Sequence, residues 1–166
     1  MMEVKASVQL TVKQMYEFLM LHTYSATSGL IGLVLSIGGY IGFFYMLQME
    51  GANPMYIVML FATGMLFTVV QPFMIYRNAK KQVKAYEEAP MEYTVSKRGI
   101  DVKQSEKTGF SSWDEITKVT STKRLVMFYT SRVHAYVIPK EDIGDQMDTL
   151  KAVVKENCYA GFIKIK

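Results

Sequence analysis

The sequence predicts an α+β membrane protein: a transmembrane helical hairpin, then an antiparallel sheet closed by a C-terminal helix. Three observations carry this. Residues 23–76 hold one formal charge, Glu50, within two long apolar runs. From Met91 the pattern changes: Met91, Tyr93 and Val95 alternate with Glu92, Thr94 and Ser96, the period of a half-buried strand. Near the end, Ile143, Met147, Leu150, Val154 and Cys158 recur at helical spacing and make one apolar stripe.

In chain order, residues 1–22 read as a strand (3–10) and a short helix from Val12, both packing with the cytoplasmic domain. Thr11-Val12-Lys13-Gln14 has capping-box spacing, in which hydroxyl and amide satisfy each other's backbone N–H. Residues 23–76 form the hairpin, with spans at 29–48 and 55–76, each close to the ~20 residues a helix needs to cross the hydrocarbon core. As core helices of a soluble protein they would need a shell that the remaining residues, about 110, are too few to build. Residues 77–90 read as a basic helical stalk ended by Ala89-Pro90. Residues 91–166 form the folded domain. Its strands are expected from Met91, from Ile100, and over 110–113, 117–122, 125–131 and 133–139. Lys97-Arg98-Gly99 is a turn, 103–109 a polar loop, and Asp114-Glu115-Ile116 a tight turn. Asp142 or Glu141 is expected to cap the last helix.

Orientation follows from the flanks. Arg77, Lys80, Lys81 and Lys84 come after the second run, Lys5 and Lys13 precede the first, and the connecting loop has neither Lys nor Arg. The positive-inside rule puts both termini in the cytoplasm. Tyr24, Tyr56 and Tyr76 fall at the interfaces, while Tyr40 and Tyr45 face the other helix or lipid. Gly38 and Gly42 make a GxxxG pair, and Ser28, Gly32 and Ser36 a second small stripe. Packing inside the hairpin is the plainer use of both, and a homodimer through Gly38 and Gly42 is the other. Pro72 should leave the Thr68 carbonyl without a helical donor and bend the second span.

The net charge is +4, yet residues 85–166 hold 13 Lys and Arg against 12 Asp and Glu. The excess therefore sits at the membrane junction. That argues against nucleic acid, which needs a basic face on the folded domain. The single cysteine, Cys158, excludes an internal disulfide.

The spans, the basic junction, the run Phe110-x-x-Trp113-Asp114-x-Ile116-x-x-Val119, the strand end Ile138-Pro139-Lys140 and the terminal helix together resemble the YcxB-like family of bacterial membrane proteins. The resemblance extends over nearly the whole chain. It implies a pleckstrin-homology-like domain, a curved antiparallel sheet closed by a C-terminal helix, and it implies no reaction.

Nothing in the residues supplies one either. HExxH, CxxC, P-loop and GxSxG patterns are absent from the sequence. His22 reads as interfacial, His134 as a strand residue, Cys158 as buried and Trp113 as core. Catalytic residues, metal and cofactor are not expected, and the chain does not read as an enzyme. The expected role is an interaction or regulatory module anchored in the cytoplasmic membrane, with a protein partner. The alternatives are an anionic-lipid-binding domain and an accessory subunit of a transport or envelope complex. Lipid headgroups would be met by Arg77, Lys80, Lys81, Lys84, Lys123 and Arg124. Lys97 and Arg98 would join Lys123 and Arg124 in one patch.

Overall fold

The computed structural model describes residues 3–86, 90–132, 134–159 and 161–165. In chain order the elements are β1 (Val4–Val8), α1 (Val12–Ser25), α2 (Thr27–Leu47), α3 (Pro54–Met65), a π-helical turn (Leu66–Val70), α4 (Gln71–Tyr86), β2 (Met91–Ser96), β3 (Gly99–Gln104), β4 (Lys107–Ser112), a 3-10 turn (Trp113–Glu115), β5 (Lys118–Ser121), β6 (Leu125–Tyr129), β7 (Ala135–Pro139), α5 (Lys140–Ile143), a 3-10 turn (Gly144–Gln146), α6 (Met147–Asn157) and β8 (Ile163–Lys164). They divide into an α/β unit, Met1–Gln14 with Val83–Lys166, and a helical unit, Met15–Gln82. The boundaries differ from the expected 1–22 segment, because α1 is longer than a short helix and most of it belongs to the helical unit.

In the helical unit two helices are long and apolar enough to cross a membrane, Thr27–Leu47 and Pro54–Lys84. Their facing surfaces are built from small residues. A Cβ on Gly39 would lie 2.8 Å from the Gly64 backbone nitrogen, so the two backbones approach as only glycine allows. Gly32 makes room for the Phe67 ring, and Gly42 faces Leu60. Gly38 has nothing within 4 Å, so hairpin packing accounts for Gly42 and not for Gly38.

Proline acts on the second span through a register change. The Gln71 N–H bonds to the Leu66 carbonyl, a step of five residues. The next donor in that register would be Pro72, which has no N–H. The carbonyl left over in that register is that of Phe67, and the Tyr24 hydroxyl donates to it. One turn earlier the Ser36 hydroxyl stands in the gap, donating to the Thr63 carbonyl and accepting from the Phe67 N–H, both at 3.1 Å. Ser36 thus replaces the α-helical bond between those groups and leaves neither bare in the apolar interior. Tyr40 extends the network to the Thr68 hydroxyl at 2.9 Å.

The α/β unit has two four-stranded sheets, β1-β2-β3-β4 and β7-β6-β5-β8, rather than a single meander. The first is antiparallel throughout. β1 pairs with β2 in the register Ala6↔Tyr93, burying Val4, Ala6 and Val8 and exposing Lys5 and Ser7. The predicted capping box opens α1: Thr11 N–H donates to Gln14 Oε1 at 2.8 Å, and Gln14 N–H to Thr11 Oγ1 at 3.3 Å. At the β2–β3 turn Gly99 has φ +147°, and a Cβ there would meet the Ser111 carbonyl at 2.2 Å. The expected polar loop over 103–109 is instead a hairpin, with Lys103 opposite Thr108 and Gln104 opposite Lys107. β4 is exposed over its first four residues, so no apolar alternation marks it in the sequence.

The second sheet centres on β6, buried at every position from Leu125 to Tyr129 and so covered on both faces. Trp113, 5% exposed, packs against Phe128 and donates its indole N–H to the Ser96 carbonyl at 3.0 Å, joining the two halves of the core. Ser111 and Tyr136 link β4 to β7 by hydroxyls 2.9 Å apart.

Three further expectations are corrected. The last helix is broken at Gly144, with φ +55°, into α5 and α6. Neither Glu141 nor Asp142 caps a helix: the N-cap positions are Pro139 and Gln146, without side-chain bonds. The Gln146 amide serves a different purpose, accepting from Lys5 N–H at 3.2 Å and donating to Lys5 O at 3.3 Å, which closes part of the free edge of β1. The chain then adds β8, parallel to β5, an element the sequence pattern does not show. The strand end at 133 and the helix end at 87–89 fall outside the described residues.

Candidate functional site

Two basic regions stand out. On α4, Arg77, Lys80, Lys81 and Lys84 recur at three- and four-residue spacing and are all exposed. At 100° per residue they lie opposite the buried Ile75 and Ala79, so this helix is amphipathic beyond its apolar stretch.

The second region is a hollow of about 480 Å³ lined by Thr120, Ser121, Thr122, Lys123, Lys140 and Lys164. Three separate segments build it. β5 ends in a turn where Thr122 N–H bonds to Leu125 O at 2.9 Å. Thr122 Oγ1 accepts from the N–H groups of Arg124 and Leu125 at 3.1 and 3.0 Å, fixing Lys123 at the tip. Lys140 opens α5, and its N–H bonds to Arg124 O at 2.8 Å, which brings the end of β7 against that turn. Lys164 stands opposite Thr120 in the parallel β5–β8 pair. On the same strand pair Lys118 lies over the rings of Tyr129 and Phe162, 5.5 and 5.4 Å from their centroids.

Both oxygen lone pairs of Thr122 are used by the turn, so its O–H is left to donate. No carboxylate is among the described residues that line the hollow. Among the described residues the ammonium groups of Lys123 and Lys164 have no hydrogen-bond or ion-pair partner.

The structure therefore brings Lys123 together with Lys140 and Lys164, which sequence reasoning passed over. Arg124 contributes its backbone and does not line the hollow. Lys97 and Arg98 sit exposed in the β2–β3 turn and do not line it either, so the four turn cations expected in one patch are not gathered there. The parallel pairing of β8 with β5 is the missing signal: without it Lys164 is a tail residue, and Lys140 is only the end of a strand.

The residues considered for chemistry lie elsewhere. Cys158 is buried. His134 is exposed in the β6–β7 turn, where its carbonyl accepts from Thr130 and Ser131, and not within a strand as expected. His22 lies in α1 with its ring 5.9 Å from that of Phe18. Asp114 and Glu115 are both exposed on a 3-10 turn.

Residues 95–154 match the family model described as YcxB-like protein. The chain carries a YcxB-like domain. The YcxB-like stretch runs from the end of β2 into α6, and so contains most of both sheets, Trp113, Lys123 and Lys140. β1, the helical unit and Lys164 lie outside it, so the match is narrower than the resemblance read from the sequence. No curated protein matches the chain.

Proposed function

We propose that this protein is a membrane-anchored module that holds its YcxB-like domain at the cytoplasmic face of the inner membrane and acts through a partner protein rather than by catalysis. The observation that carries this reading is the surface of the two long helices. Ile31, Val34, Ile41, Phe44, Met55, Val58 and Phe73 are all exposed on them, an apolar face much larger than a soluble monomer shows. Lipid covers such a surface at little cost to the backbone, because the helices satisfy most of their own hydrogen bonds and Tyr24 and Ser36 supply partners at the π turn. The basic stripe on α4 fits the cytoplasmic end of the second span.

In this reading the soluble part is pleckstrin-homology-like. Two sheets with a helix after the last long strand support that comparison, while the fold by itself assigns no function. The bilayer and one protein partner are the expected contacts, and nucleic acid is not. A homodimer through Gly38 is a further proposal, since the hairpin leaves that glycine uncovered. Crosslinking in native membranes tests the partner reading. A discrete heteromeric adduct through residues of the α/β unit supports it. Crosslinks confined to lipid or to a second copy would replace it with the lipid or dimer reading.

A further inference from the structure

We propose that the π turn is a register switch in the second span. Tyr24 and Ser36 hold the π register, release of their bonds returns the turn to the α register, and the exchange rotates α4 by about 100°, the angle of one residue in an α-helix. This gives the membrane-anchored module a regulated element, and it rests on that reading only for the lipid around the helices.

Pro72 leaves the span one bond short in either register. In the π register the Gln71 N–H goes to the Leu66 carbonyl, and the Tyr24 hydroxyl serves Phe67 in place of the missing proline N–H. In the α register the Gln71 N–H would reach Phe67, four residues back, and the carbonyl without a donor would be that of Thr68. A tyrosine stands ready for each case. The Tyr40 hydroxyl lies 2.9 Å from Thr68 Oγ1. Thr68 gives its own hydroxyl proton to the Gly64 carbonyl at 2.7 Å, so Tyr40 is the donor of that pair. Its proton is already at the residue that the α register would leave short.

Ser36 marks the turn as more than a proline kink. It bridges the Thr63 carbonyl and the Phe67 N–H, two groups that bond to each other in an α-helix. Proline disturbs the carbonyl one turn before it, and Thr63 is a turn further away. Single π turns inside α-helices are frequent at functional sites, and discrete packings turn small changes in bonding into shifts of a whole helix.

The consequence falls on α4. Its buried positions are Ile75 and Ala79, while Met74 and Asn78 are exposed. Removing the extra residue of the π turn from the count would set Met74 and Asn78 where Ile75 and Ala79 stand, and would re-aim Arg77, Lys80 and Lys81 by the same angle. Burying the Asn78 amide is unfavourable, and the edge contact of Tyr76 with Tyr16, at 6.0 Å, belongs to the present register. The π register is therefore the resting one. α4 continues past Gln82 into the α/β unit, so the register sets the angle at which the chain enters that unit.

Cysteine protection on α4 reads the register. Full-length protein with Cys158→Ser, which removes the only native thiol, is reconstituted in lipid nanodiscs, and maleimide labelling rates are compared for Asn78→Cys and Ala79→Cys. With Tyr24 and Ser36 intact, position 79 should be protected and position 78 should react. Ser36→Ala, alone or with Tyr24→Phe, should move protection from 79 to 78. Deleting Val69 from the Ser36→Ala chain takes out the extra residue and should return protection to 79, a rescue that a merely loosened helix would not show. The native pattern persisting in Ser36→Ala overturns the proposal. Reaction at both positions without recovery on deletion of Val69 also overturns it. Should the double variant lose helix content by circular dichroism, Ser36→Ala alone decides. A chain that enters nanodiscs but keeps the native pattern in every variant would sink the switch and leave the anchored module standing.

Discussion

Trp113 shows how much of this domain hangs on one side chain. Its ring is buried and its indole N–H is used by the Ser96 carbonyl, so both its bulk and its polarity are accounted for. Trp113→Ala should cost about 3–5 kcal/mol, and Trp113→Phe about 1–3 kcal/mol because it leaves a buried carbonyl without its donor. Chemical denaturation of the full chain in micelles, followed by near-UV circular dichroism of the tyrosines, checks both. Asp142 makes the opposite kind of prediction. Burial, and then the charge of Glu141 beside it, raises its carboxyl above the usual 3.8. An acid with a raised folded value binds its proton more tightly in the native state, so its contribution is present at low pH and is lost as pH climbs through the folded value. Asp142→Asn should therefore stabilise the α/β unit at neutral pH and make no difference below pH about 3. Melts followed by Trp113 emission at the two pH values measure this. At this scale Trp113 and Cys158 were legible in the sequence, because a large ring and a thiol on apolar faces have one plain reading. Lys140 and Lys164 were not, because a lysine's neighbours are set by the pairing of distant strands.

At the scale of elements, the two long helices follow from run length and apolar content and several strands from their patterning, while the departures arise where polar groups choose unforeseen partners. Three unlike parts build the π turn: a proline without an N–H, a serine on the facing helix and a tyrosine near its start. No periodicity carries that combination. The start of β4 at 107–109 reads as loop because those residues are exposed and not apolar, so only its end from Phe110 is expected as strand, and β8 is missed because two residues make no pattern. The reading of the turn is testable by a cycle. With Pro72 in place, Tyr24→Phe leaves the Phe67 carbonyl unsatisfied and should destabilise the hairpin by about 1 kcal/mol, within the range found for hydrogen bonds in membrane proteins. In a Pro72→Ala background the backbone can supply its own donor, and Tyr24→Phe should then cost little. Unfolding of the four variants in mixed micelles gives the coupling. Independent effects of the two substitutions would mean that the tyrosine does not stand in for the missing N–H.

At the scale of the molecule, the account rests on an apolar hairpin in lipid with the YcxB-like domain on the cytoplasmic side. Length and apolar composition made the two long helices legible, since both are properties of the sequence itself. The two-sheet architecture was only partly so, because sheet order depends on contacts far apart in the chain. The most direct measurement is labelling with a membrane-impermeant maleimide in intact cells. Cys158→Ser removes the only native thiol, and single cysteines are then placed at Asn53 in the loop and at Lys123 in the domain. The account predicts that the chain fractionates with membranes, that position 53 is labelled in intact cells, and that position 123 is labelled only after lysis. Labelling at position 123 but not at 53 in intact cells, or recovery of the chain in the soluble fraction, would contradict it.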